Sequence, residues 1–452
     1  MSDLTQLADT VLSRAQPGEE MEVYVARGHD TEIRVFEGSI ESLSSATSAG
    51  VGIRVLLSGE SDGARLGFAW AGSLDDDVVA ATLAEARDNA RFATPDPDVV
   101  LARPDGVAPA DLDLWDDELS GISTDTKVEL ALDLERRVRS ADPRIRQVSS
   151  ADYGDGRVEV ALSSTTGIRA FTRRTSAFLS VSAIAGAASE TQTGTGFSVG
   201  HSFSDLDIDR AASDALIRST RMLGAGKTRS GRCTVVFDPR VVSTLLSVIS
   251  SALSGEAVVK GRSFFAGRIG EVVASPSVSL VDDPTDTRAY AAAAFDGEGL
   301  ACRRNVLIDG GVLGGFLYDT VAAKRAGVAS TGSAVRGGFA GTPGAGCRAL
   351  LLAPGPLDQS GILSAVGEGL YVQSITGVHS GVSPVSGDFS VGAEGLMIRD
   401  GKLAEPVREV TVASTLQKML QSILHIGSDV EWLPGVAAGQ TLAVGDMQLG
   451  GT

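Results

Sequence analysis

Four histidines and two glycine-rich motifs are the first places to look for chemistry in this chain of 452 residues. His29, His201, His379 and His425 lie far apart. None has a second histidine at the i+3 to i+5 spacing that offers two imidazoles to one metal ion from a helix. Only His379 lies in a stretch rich in Gly and Ser, GVHSGVSPVSGDFS, residues 377–390. Glycine allows positive φ and close backbone approach. The stretch therefore reads as a ligand-facing loop or as an ordinary surface connection. Residues 196–200, GFSVG, have the G-x-S-x-G spacing of a nucleophile elbow around Ser198. An elbow needs a strand, a sharp turn and an immediate helix. His201 to Ser204 continue in extended style, so a Gly-rich strand is the better reading. Residues 224–228, GAGKT, match only the end of a phosphate-binding loop. Arg221 stands where its first glycine belongs, and a helix precedes the motif instead of a strand. The cysteines, Cys233, Cys302 and Cys347, are odd in number and contain no CxxC pair, which argues against a disulfide framework or a zinc ribbon.

The elements that must position these residues are legible in part. Residues 396–399 and 402–404 flank Asp400-Gly401, a pair suited to a type I′ turn, and predict a β-hairpin. Pro406 confines the second strand to an edge or ends its pairing, and residues 410–412 resume an extended run. Apolar residues at helical spacing from Leu416 to Leu424 predict a helix with Ser414 or Thr415 as its N-cap. In the first half, helices are expected at 4–15, 75–93, 124–140 and 207–223. Strands are expected at 22–27, 31–37, 50–57, 64–70, 157–163, 168–175 and 177–185, with a turn at 28–30 and a loop at 94–113. The second half opens with a strand at 233–237 and a helix at 239–259. Short strands then follow at 277–281, 305–308, 311–318 and 350–352, and a strand pair turns near Gly445-Asp446. Such blocks without βαβ regularity predict an α+β fold. Its two domains are a mixed helix and strand domain, 1–225, and a Gly-rich, β-dominated domain, 226–452.

The formal charge of −18 disfavours nucleic-acid phosphates and anionic membrane surfaces as partners. The first residues lack the basic and apolar regions of a signal peptide, and no apolar run reaches the roughly 18 residues of a membrane span. The expected location is the cytoplasm.

From the 239–259 helix onward the chain resembles the TldD/PmbA family. The resemblance rests on GRSFFAGRIGE (261–271), GDFS (387–390), GLMIRDGK (395–402), Pro406-Val407 and IGSD (426–429). In that family the TldD branch is similar to a zinc peptidase, with HExxxH on the helix before the first of these segments and a cysteine ligand near the C-terminus. An ungapped count from Gly261 puts the HExxxH positions on Leu246, Ser247 and Ser251, and residues 430–452 contain no cysteine. The resemblance thus implies the TldE (PmbA) branch, the metal-free partner, with no catalytic or metal-binding residue and no cofactor of its own. Zinc is expected in a TldD-type subunit. The family implies a heterodimer that encloses an extended, unfolded peptide. Here the peptide-binding candidates are His379, Gly381, Gly387, Asp388, Phe389 and Ser390. The alternative is an autonomous homodimeric peptide-binding or scaffold protein.

Overall fold

The computed structural model describes residues 3–59, 63–187 and 190–451. The first half runs α1 (Asp3–Leu12), β1 (Glu19–Phe36), β2 (Ser39–Leu57), β3 (Arg65–Ala71) and α2 (Asp76–Phe92). It then repeats the same order as α3 (Thr124–Ala141), β4 (Ile145–Ser164), β5 (Arg169–Ala187), β6 (Glu190–Gly200) and α4 (Ile208–Thr220). The strands form one antiparallel sheet in the order β3-β2-β1-β4-β5-β6. That order is symmetric about the central β1–β4 pair, so the two halves are related by a pseudo-two-fold. Met21, Val23, Val25, Ile33 and Val35 all lie on one face of β1, since alternate strand residues share a face. The first three pack with α1 and α2, the last two with α3 and α4. The opposite face receives the second half of the chain, where the backbone and ring of Phe339 press against β2. A Cβ on Gly52 would lie 2.3 Å from Phe339 O, so only glycine fits there.

The second half opens with β7 (Gly231–Phe237), α5 (Pro239–Ala252) and α6 (Gly255–Val259). Next come β8 (Leu280–Asp282), β9 (Asn305–Asp309), β10 (Val312–Leu313) and α7 (Thr320–Ala326). The two-residue strands β11 (Ala334–Val335) and β12 (Gly344–Ala345) pair together, and β13 (Leu350–Leu352) joins β8 in a small sheet. The chain continues with α8 (Gln359–Val366), β14 (Gly369–Thr376), α9 (Val378–Gly381), β15 (Asp388–Arg399) and β16 (Lys402–Thr415). It ends with α10 (Leu416–Gln421), β17 (Ile423–Ile426) and β18 (Leu442–Gly450). The large sheet has the order β16-β15-β14-β7-β18-β17, and β16 also pairs β18 at residues 411–413. Strands β16, β15, β14, β7 and β18 therefore close on one another, which leaves little open edge. The helix α5 packs its apolar face into the core of this half.

The architecture is the α+β fold expected, but several local expectations are corrected. Residues 28–30 are not a turn: β1 runs straight through them, paired with β2 on one side and β4 on the other. Gly28 fits because Ser48 Oγ approaches to 3.1 Å of where a Cβ would stand. The two strands expected at 168–185 are the single strand β5, β2 begins at Ser39, and β4 begins at Ile145. The 239–259 helix breaks at 253–254, where Gly255 is wedged against Tyr318 and its N–H bonds to Leu317 O. The 416–424 helix ends at Gln421, and β17 follows because Ile423 and Ile426 are claimed by β18. Gly445-Asp446 is a bulge inside β18, with Asp446 at φ 55°, and not a hairpin turn. Of the 311–318 strand only Val312–Leu313 forms, and the 277–281 strand shifts to Leu280–Asp282. Helices α7 and α8 and strand β14 were not foreseen.

Candidate functional site

The α5 positions that would carry metal ligands point in different directions. Residues five apart on a helix lie about 140° apart around its axis. Leu246 is 3% exposed and lines a dry apolar void of about 30 Å³ with Val242, Leu352, Leu416 and Met419. Ser251 faces solvent. Ser247 lies between, and its hydroxyl donates to Ser243 O at 2.9 Å. The other serines are occupied likewise: Ser250 Oγ donates to Ser247 O at 2.7 Å, and Ser243 Oγ to Ala437 O at 2.8 Å. Hydroxyls bonded to carbonyls in this way are polar filling for the helix flank. Among the described residues no three His, Cys, Asp or Glu side chains are grouped to hold a metal ion. The side chains at these α5 positions do not fit zinc.

The 377–390 stretch forms α9 and the start of β15. His379 and Ser390 are exposed. Asp388 is exposed too, and its carboxylate accepts a hydrogen bond from Ser386 Oγ at 2.6 Å. Phe389 departs from the expectation: it is 1% exposed and belongs to the same core cluster as Leu246. Its ring is therefore closed to a bound peptide. The two glycines serve local packing. A Cβ on Gly381 would meet Ser390 O at 1.9 Å. Gly387, at φ +83°, abuts the Gln417 side chain. Beyond the end of β14, this loop covers the edge of β15: Val382 bridges Phe389, and Ser383 N–H donates to Asp388 O at 2.9 Å.

Two buried charge networks join the halves of the chain, and neither was visible in the sequence because their members are remote. In the first, Asp238 (2% exposed) caps α5 and accepts from the Tyr371 hydroxyl at 2.6 Å. Arg218 of α4 completes it. Burial and the Asp238 charge push the Tyr371 phenol well up. In the second, Glu22 of β1 accepts from Arg54 of β2 and from Arg336 of the second half. Burial pushes the Glu22 carboxyl up, but the two guanidiniums outweigh it and hold it below its ordinary value. Glu298 lies near Arg54 and accepts from Thr320 N–H at 2.9 Å and Thr320 Oγ1 at 2.6 Å, while its other oxygen has no protein partner. Burial pushes its carboxyl up to about 7.

The remaining motifs are structural. Ser198 lies on β6, 7% exposed, and its hydroxyl accepts from Asp207 N–H at 2.8 Å, while the His201 ring bonds to Thr175 O. Residues 224–228 follow α4, and two of their polar groups meet acids, Gly224 N–H with Glu190 and Lys227 with Glu409. An anionic phosphate would be repelled. His29 sits between Ser45 and Thr47 on the β1–β2 pair, and His425 is half-buried on β17. Cys302 and Cys347 are buried thiols, and burial pushes Cys302 up to about 12. No helix among the described residues is long and apolar enough to cross a membrane.

Comparison with known proteins places this geometry. Residues 21–90 match the model of PmbA/TldA metallopeptidase domain 1, 117–223 the central domain and 230–451 the C-terminal domain. The first two matches coincide with the two pseudo-symmetric halves of the first sheet, β3-β2-β1-β4-β5-β6. The chain is 26% identical over 424 residues to metalloprotease PmbA of Escherichia coli O157:H7, covering 93% of this chain and 90% of that one. It is 27% identical over 441 residues to a metalloprotease TldD homolog of Haemophilus influenzae, covering 94% and 89%. Its fold matches the crystal structure of TldE from Thermococcus kodakarensis with a TM-score of 0.88, over 99% of both chains at 24% identity. Matched by these models over most of its length, the chain belongs to the PmbA/TldD metallopeptidase family.

Proposed function

We propose that this chain is the metal-free, TldE-type subunit of a TldD/TldE zinc peptidase and holds unfolded peptide for a TldD-type partner to cut. Overall identity does not separate the branches, since relatives named PmbA and TldD are about equally similar. The observation that carries the reading is α5: its two histidine positions hold Leu246 and Ser251 and its general-base position holds Ser247, so this helix offers zinc no ligand and water no base. Zinc and the water it would activate belong to the partner. The peptide lies extended across the 377–390 loop, where His379, Asp388 and Ser390 offer exposed polar groups and Gly381 and Gly387 keep the loop close to the sheet. The assembly works in the cytoplasm.

The test mixes the purified chain with an HExxxH-bearing relative and an unfolded fluorescent peptide. The chain alone leaves the peptide intact, and the mixture cleaves it in a chelator-sensitive way that needs both proteins. Chelator-sensitive cleavage by this chain alone would overturn the proposal. Peptide binding without any stable complex with the relative would favour an autonomous homodimeric binding protein instead.

A further inference from the structure

Several arginines at the seam between the two halves have an acid beside them. Arg54 and Arg336 share Glu22, Arg218 holds Asp238, Arg240 holds Asp214 and Arg303 holds Asp105. Arg174 and Arg348 do not: among the described residues neither is ion-paired. Arg174 lies on β5, and its guanidinium reaches only Tyr290 O, at 3.5 Å. Arg348 precedes β13, and its guanidinium reaches only Ala334 O, at 3.4 Å, while its Nε is closed off without a partner. A backbone carbonyl accepts a hydrogen bond but cancels no charge. Burial, and with it the charge of Arg348, pushes the Arg174 guanidinium down. Tyr24 of β1 lies on the same sheet face as Arg174, the face that receives the second half. Its hydroxyl has no hydrogen-bond partner among the described residues. Burial pushes this phenol up, against the charges of Arg336, Arg348 and Arg174 around it. The acids nearest the group are engaged elsewhere. Glu22 is held by Arg54 and Arg336. Asp282 accepts from Arg348 N–H and Ala349 N–H at 3.0 and 2.7 Å, and Asp296 accepts from the N–H groups of Glu298, Leu300 and Ala334.

We propose that Arg174, Arg348 and Tyr24 form a binding site for a small oxyanion, a phosphate or a carboxylate, at the seam between the halves. A guanidinium is a flat fork of N–H donors that matches the oxygens of such a group, and the phenol adds an O–H donor. All three side chains are half-buried. A small solute can reach them, and their charges are screened less than those of exposed residues. Withdrawing a guanidinium from water without a counter-charge is costly, and an oxyanion between the two removes that cost. It also ties β1 and β5 of the first half to the segment before β13 of the second. Elsewhere, a chain of formal charge −18 repels anions.

The test is calorimetric titration and thermal unfolding of the purified full chain in a buffer free of phosphate and carboxylate, with sodium chloride at matched ionic strength as the reference. Inorganic phosphate and N-acetylglycine are the probes, and N-acetylglycinamide is the neutral control. One equivalent of oxyanion is expected to bind saturably and to raise the melting temperature, while chloride and the amide do neither. The probe that binds more tightly identifies the source of the oxyanion. Arg174→Met and Arg348→Met each weaken binding on the order of tenfold or more. Without oxyanion, Arg174→Met melts no lower than the wild type, because it removes a charge that has no acid partner. Absence of saturable binding by both probes, or binding that survives both Met variants, would overturn the proposal. So would an Arg174→Met chain that melts well below the wild type without oxyanion, since the guanidinium would then be satisfied within the fold. No peptide and no HExxxH-bearing relative takes part, so this site and the peptidase reading fail separately.

Discussion

The guanidinium of Arg218, on the last turn of α4, sets one nitrogen 2.6 Å from both carboxylate oxygens of Asp238, the residue that caps α5. Both partners are largely buried, with Arg218 14% and Asp238 3% exposed at the side chain. The pair ties the last helix of the first half to the N-terminus of the first helix of the second.

Removing one member of such a pair leaves the other charged and without its partner inside the protein. Asp238→Ala is expected to cost about 3–5 kcal/mol, because Arg218, Tyr371 and the α5 N-terminus all lose their acceptor. Arg218→Met combined with Asp238→Ala should cost less than the sum of the two single changes. Urea denaturation of the four proteins measures this coupling, and strict additivity would contradict it.

Restoring the family's ligand residues to α5 should not restore a metal site. In the triple variant Leu246→His, Ser247→Glu, Ser251→His, the first imidazole enters a dry apolar region and the last faces solvent. The expected result is a protein destabilised by about 2–5 kcal/mol with no stoichiometric zinc by elemental analysis after dialysis. Tight binding of one zinc per chain would show that α5 can rotate into a ligating position.

Stability should carry a pH signature from Glu298. Its carboxyl holds its proton up to about pH 7 in the folded chain, against an ordinary value of 4.5. Asp282, buried with one oxygen unpartnered, behaves alike and is pushed up to about 6. Between the ordinary and the folded values the native state binds more protons than the unfolded chain, so these groups lower stability as pH rises. For Glu298 the fall spans about pH 4.5 to 7 and amounts to roughly 3 kcal/mol. Other carboxylates oppose the trend, so the informative quantity is the difference from Glu298→Gln. The variant should gain on the wild type between pH 5 and pH 7.5 in denaturant midpoints. A constant difference across that range would remove Glu298 from the account.

Gly52 gives a steric test of the seam. Gly52→Ala drives a methyl group toward Phe339 O, which is backbone and cannot swing aside. The expected loss is about 1–3 kcal/mol, accompanied by a change in Trp70 fluorescence, since its ring lies 6.0 Å from that of Phe339. An Ala variant as stable as wild type would mean that the seam yields freely.

Local chemistry made some of this structure legible in advance. Asp400 and Gly401 have the positive φ angles, 47° and 72°, that the hairpin needs. Thr415 caps α10 by accepting from Lys418 N–H. Pro239 opens α5 and Asp207 caps α4. What the sequence concealed was decided at a distance. Gly28 and Asp30 look like a turn until β2 and β4 flank them. Phe389 looks like part of a polar loop until β15 turns it into the core of the second half. The exposure of residues 39–48 is invisible because nothing in SIESLSSATS says that β3 pairs only with Val51 to Leu57. The absent metal ligands were readable position by position. That the core buries Leu246 and leaves Ser251 to solvent was not, since it depends on which face of the helix the rest of the chain covers.

The last strand placed in the second half has a consequence for biosynthesis. β18 lies between β7 and β17 and also meets β16, yet about 200 residues separate it from β7 along the chain. A nascent polypeptide halted anywhere before Leu442 leaves β7 with one side bare and the ring of strands open. This half must therefore wait, exposed, until residues 442–450 have been made, while the first half, whose strands meet their neighbours early, can already be folded on the ribosome.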